Sequence, residues 1–193
     1  MFTSILDFDS YIIHNIFHIQ NEFLDTLMIF CTQLGDLGFL WISLTCILVL
    51  LPKYRYFGIQ ISYALSLNLF LGEGILKHLF HRDRPFQDFQ DILLKIPEPI
   101  TSSFPSGHAS ASICFAVLFT YFFWCKSKCL VGLVWTIAIM ISISRIYLQV
   151  HYPSDVLTGI CIGILSSLII IYIPSLFPGV SNPKKQIFHK NPQ

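Results

Sequence analysis

Residues 156–177 run for 22 positions without a charged side chain, and this stretch restricts the fold more than any other feature of the chain. A helix crossing the hydrocarbon core of a bilayer needs about 20 predominantly apolar residues, so the segment is long enough to span one. Four further apolar runs precede it, at residues 37–51, 56–76, 107–125 and 129–144. Charged residues make up 12% of the chain, against about 25% in a soluble domain, and the mean hydropathy is +0.65. The expected fold class is therefore all-α, an integral membrane helical bundle of five spans. Such a bundle uses most of the 193 residues and leaves no room for a second globular domain.

The ends of the chain read differently. Residues 8–34 are too polar and too broken for a clear span, yet Ile12, Ile13, Ile16, Phe17 and Ile19 form a helical apolar stripe. We read residues 1–35 as an amphipathic helical segment lying in the membrane interface, in preference to a sixth span. Asp7, Asp9, Glu22 and Asp25, with no Lys or Arg nearby, do not fit a cleaved signal peptide. Residues 36–178 form the expected membrane domain and residues 179–193 a polar tail. The six cysteines fall almost wholly in apolar runs without a Cys-x-x-Cys pair, so buried thiols are expected rather than a disulfide framework. A net charge of +1 offers no basic stripe and excludes a nucleic-acid partner.

Three polar clusters interrupt the apolar pattern, and a five-span topology brings all three to one membrane face. The first is Lys77-His78-Leu79-Phe80-His81-Arg82-Asp83-Arg84-Pro85, the second Phe104-Pro105-Ser106-Gly107-His108, and the third Ser144-Arg145 followed by His151-Tyr152-Pro153-Ser154-Asp155. Lys77, Arg84 and Arg145 supply one ammonium and two guanidinium forks, a donor set suited to a phosphate. Ser106 and Gly107 stand where a loop becomes a helix, so backbone N–H groups and the helix dipole favour the same anion there. Phosphoryl transfer needs one group to attack and another to protonate the leaving oxygen, and His151 and His108 can divide those roles. Asp155, four residues after His151, is placed to hold its imidazole.

These blocks, Lys77 with Arg84-Pro85, Pro105-Ser106-Gly107-His108, and Ser144-Arg145 with His151 and Asp155, resemble the three-part signature of the type 2 phosphatidic acid phosphatase superfamily. The resemblance implies a helical membrane phosphatase that acts on lipid phosphates or diphosphates without a metal or other cofactor. It makes His151 the nucleophile that becomes phosphorylated, Asp155 its partner and His108 the proton donor. Lys77, Arg84, Ser106, Gly107 and Arg145 would hold the phosphoryl oxygens. Its small size is similar to that of bacterial enzymes acting on undecaprenyl diphosphate; phosphatidylglycerophosphate and phosphatidic acid stay open as substrates.

Other readings fit less well. A metal site built from His78, His81, His108, His151 and Asp155 would set a divalent cation against three positive side chains. A transporter or channel would spread polar residues through the membrane depth, whereas only Asn68 and Glu73 lie inward. Glu73 is spaced to pair with Lys77, Arg82 and Asp83 are placed to pair with each other or to line the entrance, and His78 and His81 read as solvated loop residues. The partners implied are the lipid substrate and surrounding membrane lipids, with oligomeric state left open. Seven Lys and Arg residues (Lys53, Arg55, Lys126, Lys128, Lys184, Lys185, Lys190) fall on one face, and five on the other, of which the site claims three. The positive-inside rule then places the site on the extracytoplasmic face of a multi-pass cell-membrane protein.

Overall fold

A computed structural model describes residues 4–89 and 91–173, and the polar tail at 179–193 lies outside them. The described residues are helical, with no strand. Helix α1, Ile5–Ile16, opens on a capping box in which Ser4 and Asp7 exchange side-chain to backbone bonds. Helix α2, Glu22–Gly35, is capped by Asn21, whose side chain accepts from the Leu24 N–H. Five apolar helices follow: α3, Phe39–Leu50; α4, Arg55–Leu69; α5, Gly107–Phe123; α6, Lys128–Tyr147; and α7, Pro153–Tyr172. Ser106 and Ser127 cap α5 and α6. Pro153 starts α7 where a missing N–H costs nothing.

By length and composition four helical stretches can cross a membrane: Glu22–Leu50, Arg55–Leu79, Lys128–Tyr147 and Pro153–Tyr172. Gly107–Phe123 is a shorter apolar helix. The first takes in the run expected from residue 37 together with α2, but the two helices are separate: α2 ends at Gly35 and Asp36 is extended. Leu37 and Gly38 take left-handed backbone conformations, at φ 52° and 67°, and α3 starts afresh at Phe39. Only Cys31 and Cys114 are buried. Cys46, Cys125, Cys129 and Cys161 face outward from the chain, all as free thiols, which corrects the expectation of buried cysteines; for Cys46, Cys129 and Cys161 an outward position on an apolar helix suits a thiol as well as a buried one, since lipid surrounds it, and Cys125 lies in the turn after α5.

Helix α5 occupies the centre and touches α3, α4, α6 and α7. Lipid tails are as apolar as leucine, so burial alone drives helices together weakly and close packing matters more. Gly159 and Gly163 provide it. A Cβ on Gly159 would stand 2.5 Å from the Ser106 carbonyl oxygen, and one on Gly163 would stand 2.9 Å from the Cys114 nitrogen. The backbones of α5 and α7 therefore lie against each other over one helical turn. Polar pairs add direction: Trp41 donates to Ser112 at 2.9 Å, Asn68 to Ser110 at 3.2 Å, and Ser167 to the Cys114 carbonyl at 2.9 Å. The partner that inward-lying Asn68 requires is thus on α5. Trp41, Phe57, Phe115, Phe119 and Phe123 fill the space among α3, α4 and α5.

At one end of the bundle Lys53 and Lys126 both lie over the Tyr54 ring, 5.3 and 5.8 Å from its centroid, which joins the two short basic loops. The three polar clusters sit at the opposite ends of α4, α5, α6 and α7. The α5–α7 contact yields a direct test. Gly163→Ala is expected to cost about 1–3 kcal/mol as overpacking and to lower the unfolding temperature in detergent. Gly132→Ala, where nothing lies within 4 Å of the new methyl, is expected to hold or raise it through helix propensity.

Candidate active site

Helix α4 does not end as a regular helix. Residues Phe70–Leu76 wind as a π-helix before a last turn at Lys77–Leu79, and this wider turn sets the direction of Lys77. Its ammonium meets Glu73 at 2.8 Å and Thr101 Oγ1 at 3.1 Å, so the pairing expected for Glu73 is present. His78 Nδ1 lies 3.0 Å from the Glu73 carbonyl on an exposed side chain, and His81 is exposed.

Arg84 is buried, and backbone carbonyls hold its guanidinium. Nε donates to Thr101 O at 2.8 Å, Nη1 to Val150 O at 2.7 Å and Nη2 to Ser102 O at 3.3 Å. Burial draws its pKa down to about 10, which leaves it charged at neutral pH. The same Nη1 lies 3.4 Å from His151 Nε2. A guanidinium only donates, so Nε2 is the acceptor and the imidazole proton belongs on Nδ1.

The loop carrying His151 is pinned from several sides. The Val150 and His151 N–H groups both donate to Arg145 O at 3.2 Å, and Gln149, left-handed at φ 56°, donates its side chain to Ile13 O at 3.1 Å. His151 is 2% exposed. Burial pushes its imidazole down to about 3; the Asp155 carboxylate opposes that shift, and the Arg145 and Arg84 charges add to it. Neutral His151 is the nucleophilic form. Nδ1 stands 3.8 Å from Asp155 Oδ2, beyond hydrogen-bond reach, and has no other partner.

Asp155, fully buried on the first turn of α7, is instead held by three donors: Ser103 Oγ at 2.6 Å, the Tyr152 N–H at 2.9 Å and Arg82 Nη1 at 2.6 Å. Arg82 thus pairs with Asp155 and not with Asp83. Its other arm reaches Asp9 on α1 at 2.7 Å, and its guanidinium stacks 4.1 Å from the Tyr152 ring centroid. Ser154 donates its N–H to Asp9 at 2.9 Å and its hydroxyl bonds the same carboxylate. The reason is electrostatic: two buried carboxylates lie within reach of Arg82, whereas Asp83 is exposed and solvated.

His108, on the first turn of α5, places Nε2 3.0 Å from Asp36 Oδ1. Arg145 is buried on the last turn of α6, where Nη1 bonds the Thr32 hydroxyl of α2 while Nε has no partner. Ser106 sits differently from the expected anion contact: its hydroxyl accepts from the Ala109 N–H and its own N–H donates to the Asp155 carbonyl at 3.1 Å. Gly107 lies beneath the Glu73 carboxylate, 2.8 Å from where a Cβ would be. Lys77 feels the charges of Arg84 and Arg145, and His108 those of Arg145 and Lys77. The five basic and imidazole groups named from the sequence therefore share one end of the bundle.

Sequence reasoning missed Asp9, Thr32, Asp36, Thr101 and Ser103. Asp9 had a signal, because it stands at i, i+4 and i+7 with Ile13 and Ile16 on the buried face of α1, where an unpaired carboxylate is costly. Thr101 and Ser103 lie in an irregular loop where spacing carries no such information.

Three cations and two imidazoles gathered at one end of a helical membrane bundle have the donors and bases that binding and cleaving a phosphate require. The comparisons agree. The PAP2 superfamily pattern matches residues 57–177, and the chain belongs to that superfamily. An undecaprenyl-diphosphatase of Sulfolobus acidocaldarius is 29% identical over 80% of this chain and 73% of its own length. Phosphatidylglycerophosphatase B of Bacillus subtilis is 31% identical over 76% of this chain and 73% of its own. The crystal structure of a PAP2-type phosphatidylglycerolphosphate phosphatase from Bacillus subtilis superposes with a TM-score of 0.73 at 24% identity, covering 91% of this chain and 89% of that one.

The burial of neutral His151 predicts a pH effect on stability. Its pKa of about 3 in the fold lies below the ordinary histidine value of about 6.5, so between those pH values the unfolded chain binds more protons and stability falls on acidification. The stabilising contribution is complete above about pH 6.5 and is lost as the pH drops toward 3. His151→Asn is expected to flatten the fall of unfolding temperature over that window, read by thermal unfolding in detergent.

Proposed function

We propose that the protein hydrolyses undecaprenyl diphosphate to undecaprenyl phosphate through a phosphohistidine on His151, without a metal. The observation that carries this reading is the Arg84 guanidinium 3.4 Å from Nε2 of a buried His151, which puts a fixed cation beside the nitrogen that would attack. In the first step Nε2 bonds to the terminal phosphorus while the bond from phosphorus to the bridging oxygen breaks, and His108 gives its proton to that oxygen. Asp155, facing Nδ1, offsets the positive charge the ring acquires. Water then attacks the phosphohistidine, the P–N bond breaks, and inorganic phosphate leaves. Lys77, Arg84 and Arg145 hold charge on the phosphoryl oxygens throughout, the larger share of catalysis where transition-state bonding is loose. The unpartnered Nε of Arg145 suits such an oxygen.

The name of the Sulfolobus relative supports the diphosphate substrate, and that of the Bacillus relative supports phosphatidylglycerophosphate as a second reading. On this account residues 36–178 form the phosphatase domain, residues 1–35 lie along the interface, and the site faces the extracytoplasmic side, in line with the charge bias of the loops. A phosphate-release panel of undecaprenyl diphosphate, phosphatidylglycerophosphate and phosphatidic acid tests the substrate, with the first expected to show the highest kcat/KM. His151→Ala is expected to reduce release by about 10³-fold or more and to remove acid-labile phosphate from the quenched protein. Turnover retained by the folded variant would overturn the nucleophile.

A further inference from the structure

His108 has a carboxylate of its own. Asp36 Oδ1 lies 3.0 Å from Nε2, on the segment that joins α2 to α3. The backbone there has little freedom to move the carboxylate elsewhere. A Cβ on the preceding Gly35 would stand 2.6 Å from His108 Cδ2 and 2.8 Å from Ile141 Cγ2, so this residue's backbone packs directly against the imidazole. On the other side Leu37 and Gly38 hold left-handed conformations. One turn earlier on α2, Thr32 takes the guanidinium of Arg145. A single helical end thus meets both the imidazole of His108 and one of the three cations.

We propose that Asp36 is a positioning residue for the acid of the reaction, forming with His108 a second carboxylate–imidazole pair beside that of Asp155 and His151. The inference rests on the role given to His108 above. As the acid, His108 is an imidazolium with a proton on each nitrogen. Asp36 retains the Nε2 proton, so the Nδ1 proton passes to the bridging oxygen as its bond to phosphorus breaks. The neutral ring that remains keeps Nε2–H on Asp36 and has a bare Nδ1. That tautomer takes a proton from the water that attacks phosphohistidine, which returns His108 to its starting state. Without Asp36 the ring can turn over or adopt the other tautomer, and neither proton transfer is then arranged. Lys77 and Arg145 act on His108 with positive charge, and Asp36 supplies the opposing negative charge.

The test uses the full chain in detergent with Asp36→Asn, Asp36→Glu, His108→Ala and His151→Ala. Phosphatidylglycerophosphate, whose leaving oxygen is an alkoxide, is compared with p-nitrophenyl phosphate, whose phenolate leaves without a proton. Asp36→Asn is expected to lower kcat on the lipid about 10- to 100-fold, part of the 10²–10⁴ that an acid supplies, with KM within about twofold. The loss on the aryl ester is expected to be several-fold smaller, and Asp36→Glu to recover part of the activity. The ¹⁵N spectrum of the His108 ring gives a readout independent of turnover: Asp36→Asn is expected to deplete the Nε2–H tautomer. Unchanged lipid turnover, equal losses on both esters, or an unmoved ring spectrum would each overturn the proposal. If His108→Ala shows no dependence on the leaving group, or His151→Ala keeps its activity, the underlying reaction assignment fails instead.

Discussion

The contact of α5 with α7 at Gly159 and Gly163 fixes more of the molecule than any other. It removes the side-chain layer between two helices, so that the Ser106 carbonyl comes within 2.5 Å of a notional methyl on Gly159. Helix α5 begins with His108 in its first turn, and α7 begins with Asp155 just after the His151 loop. A register set by backbone contact along their length therefore sets the separation of the two imidazole-bearing ends. The bond from the Ser106 N–H to the Asp155 carbonyl closes the same junction at the top. In lipid, where apolar side chains gain little by leaving one surface for another, such close approach is the main available source of precision.

The second organising element is the buried Asp155 carboxylate. Its three donors come from Arg82, Ser103 and the Tyr152 backbone, so one side chain ties the long loop after α4 to the start of α7. Arg82 extends this tie to Asp9 and so binds α1 to the same junction. Charge neutralisation explains the arrangement: two buried carboxylates share one guanidinium, and two serine hydroxyls and two backbone N–H groups satisfy most of the remaining lone pairs. Helices α1 and α2 and the segment after α2 act as walls of the site, through Asp9, Thr32 and Asp36.

Much of this was legible in the sequence, for identifiable reasons. Uncharged runs near the length of a span marked five apolar helices, four of them in stretches long enough to cross a membrane, and the spacing of Lys77, Arg84, His108, Arg145, His151 and Asp155 named side chains that the fold gathers at one end. What stayed hidden depends on direction. The pairing of Arg82 with Asp9 crosses 73 residues of chain, and Asp36 reaches His108 across 72; neither separation leaves a local trace. The break at Leu37 and Gly38 was equally invisible, because a leucine with positive φ follows from tertiary packing and not from its own preference. Ser106 was legible as standing where a loop becomes a helix, but not as a side chain committed to capping it.

The π turn at Phe70–Leu76 has one further consequence. A chain one residue shorter in that turn would wind as an ordinary helix, and everything after it would rotate by about 100°. Lys77 would then point away from Thr101 while the helix upstream kept its hydropathy and packing. The widened turn is therefore where the winding of the span and the direction of Lys77 are set apart.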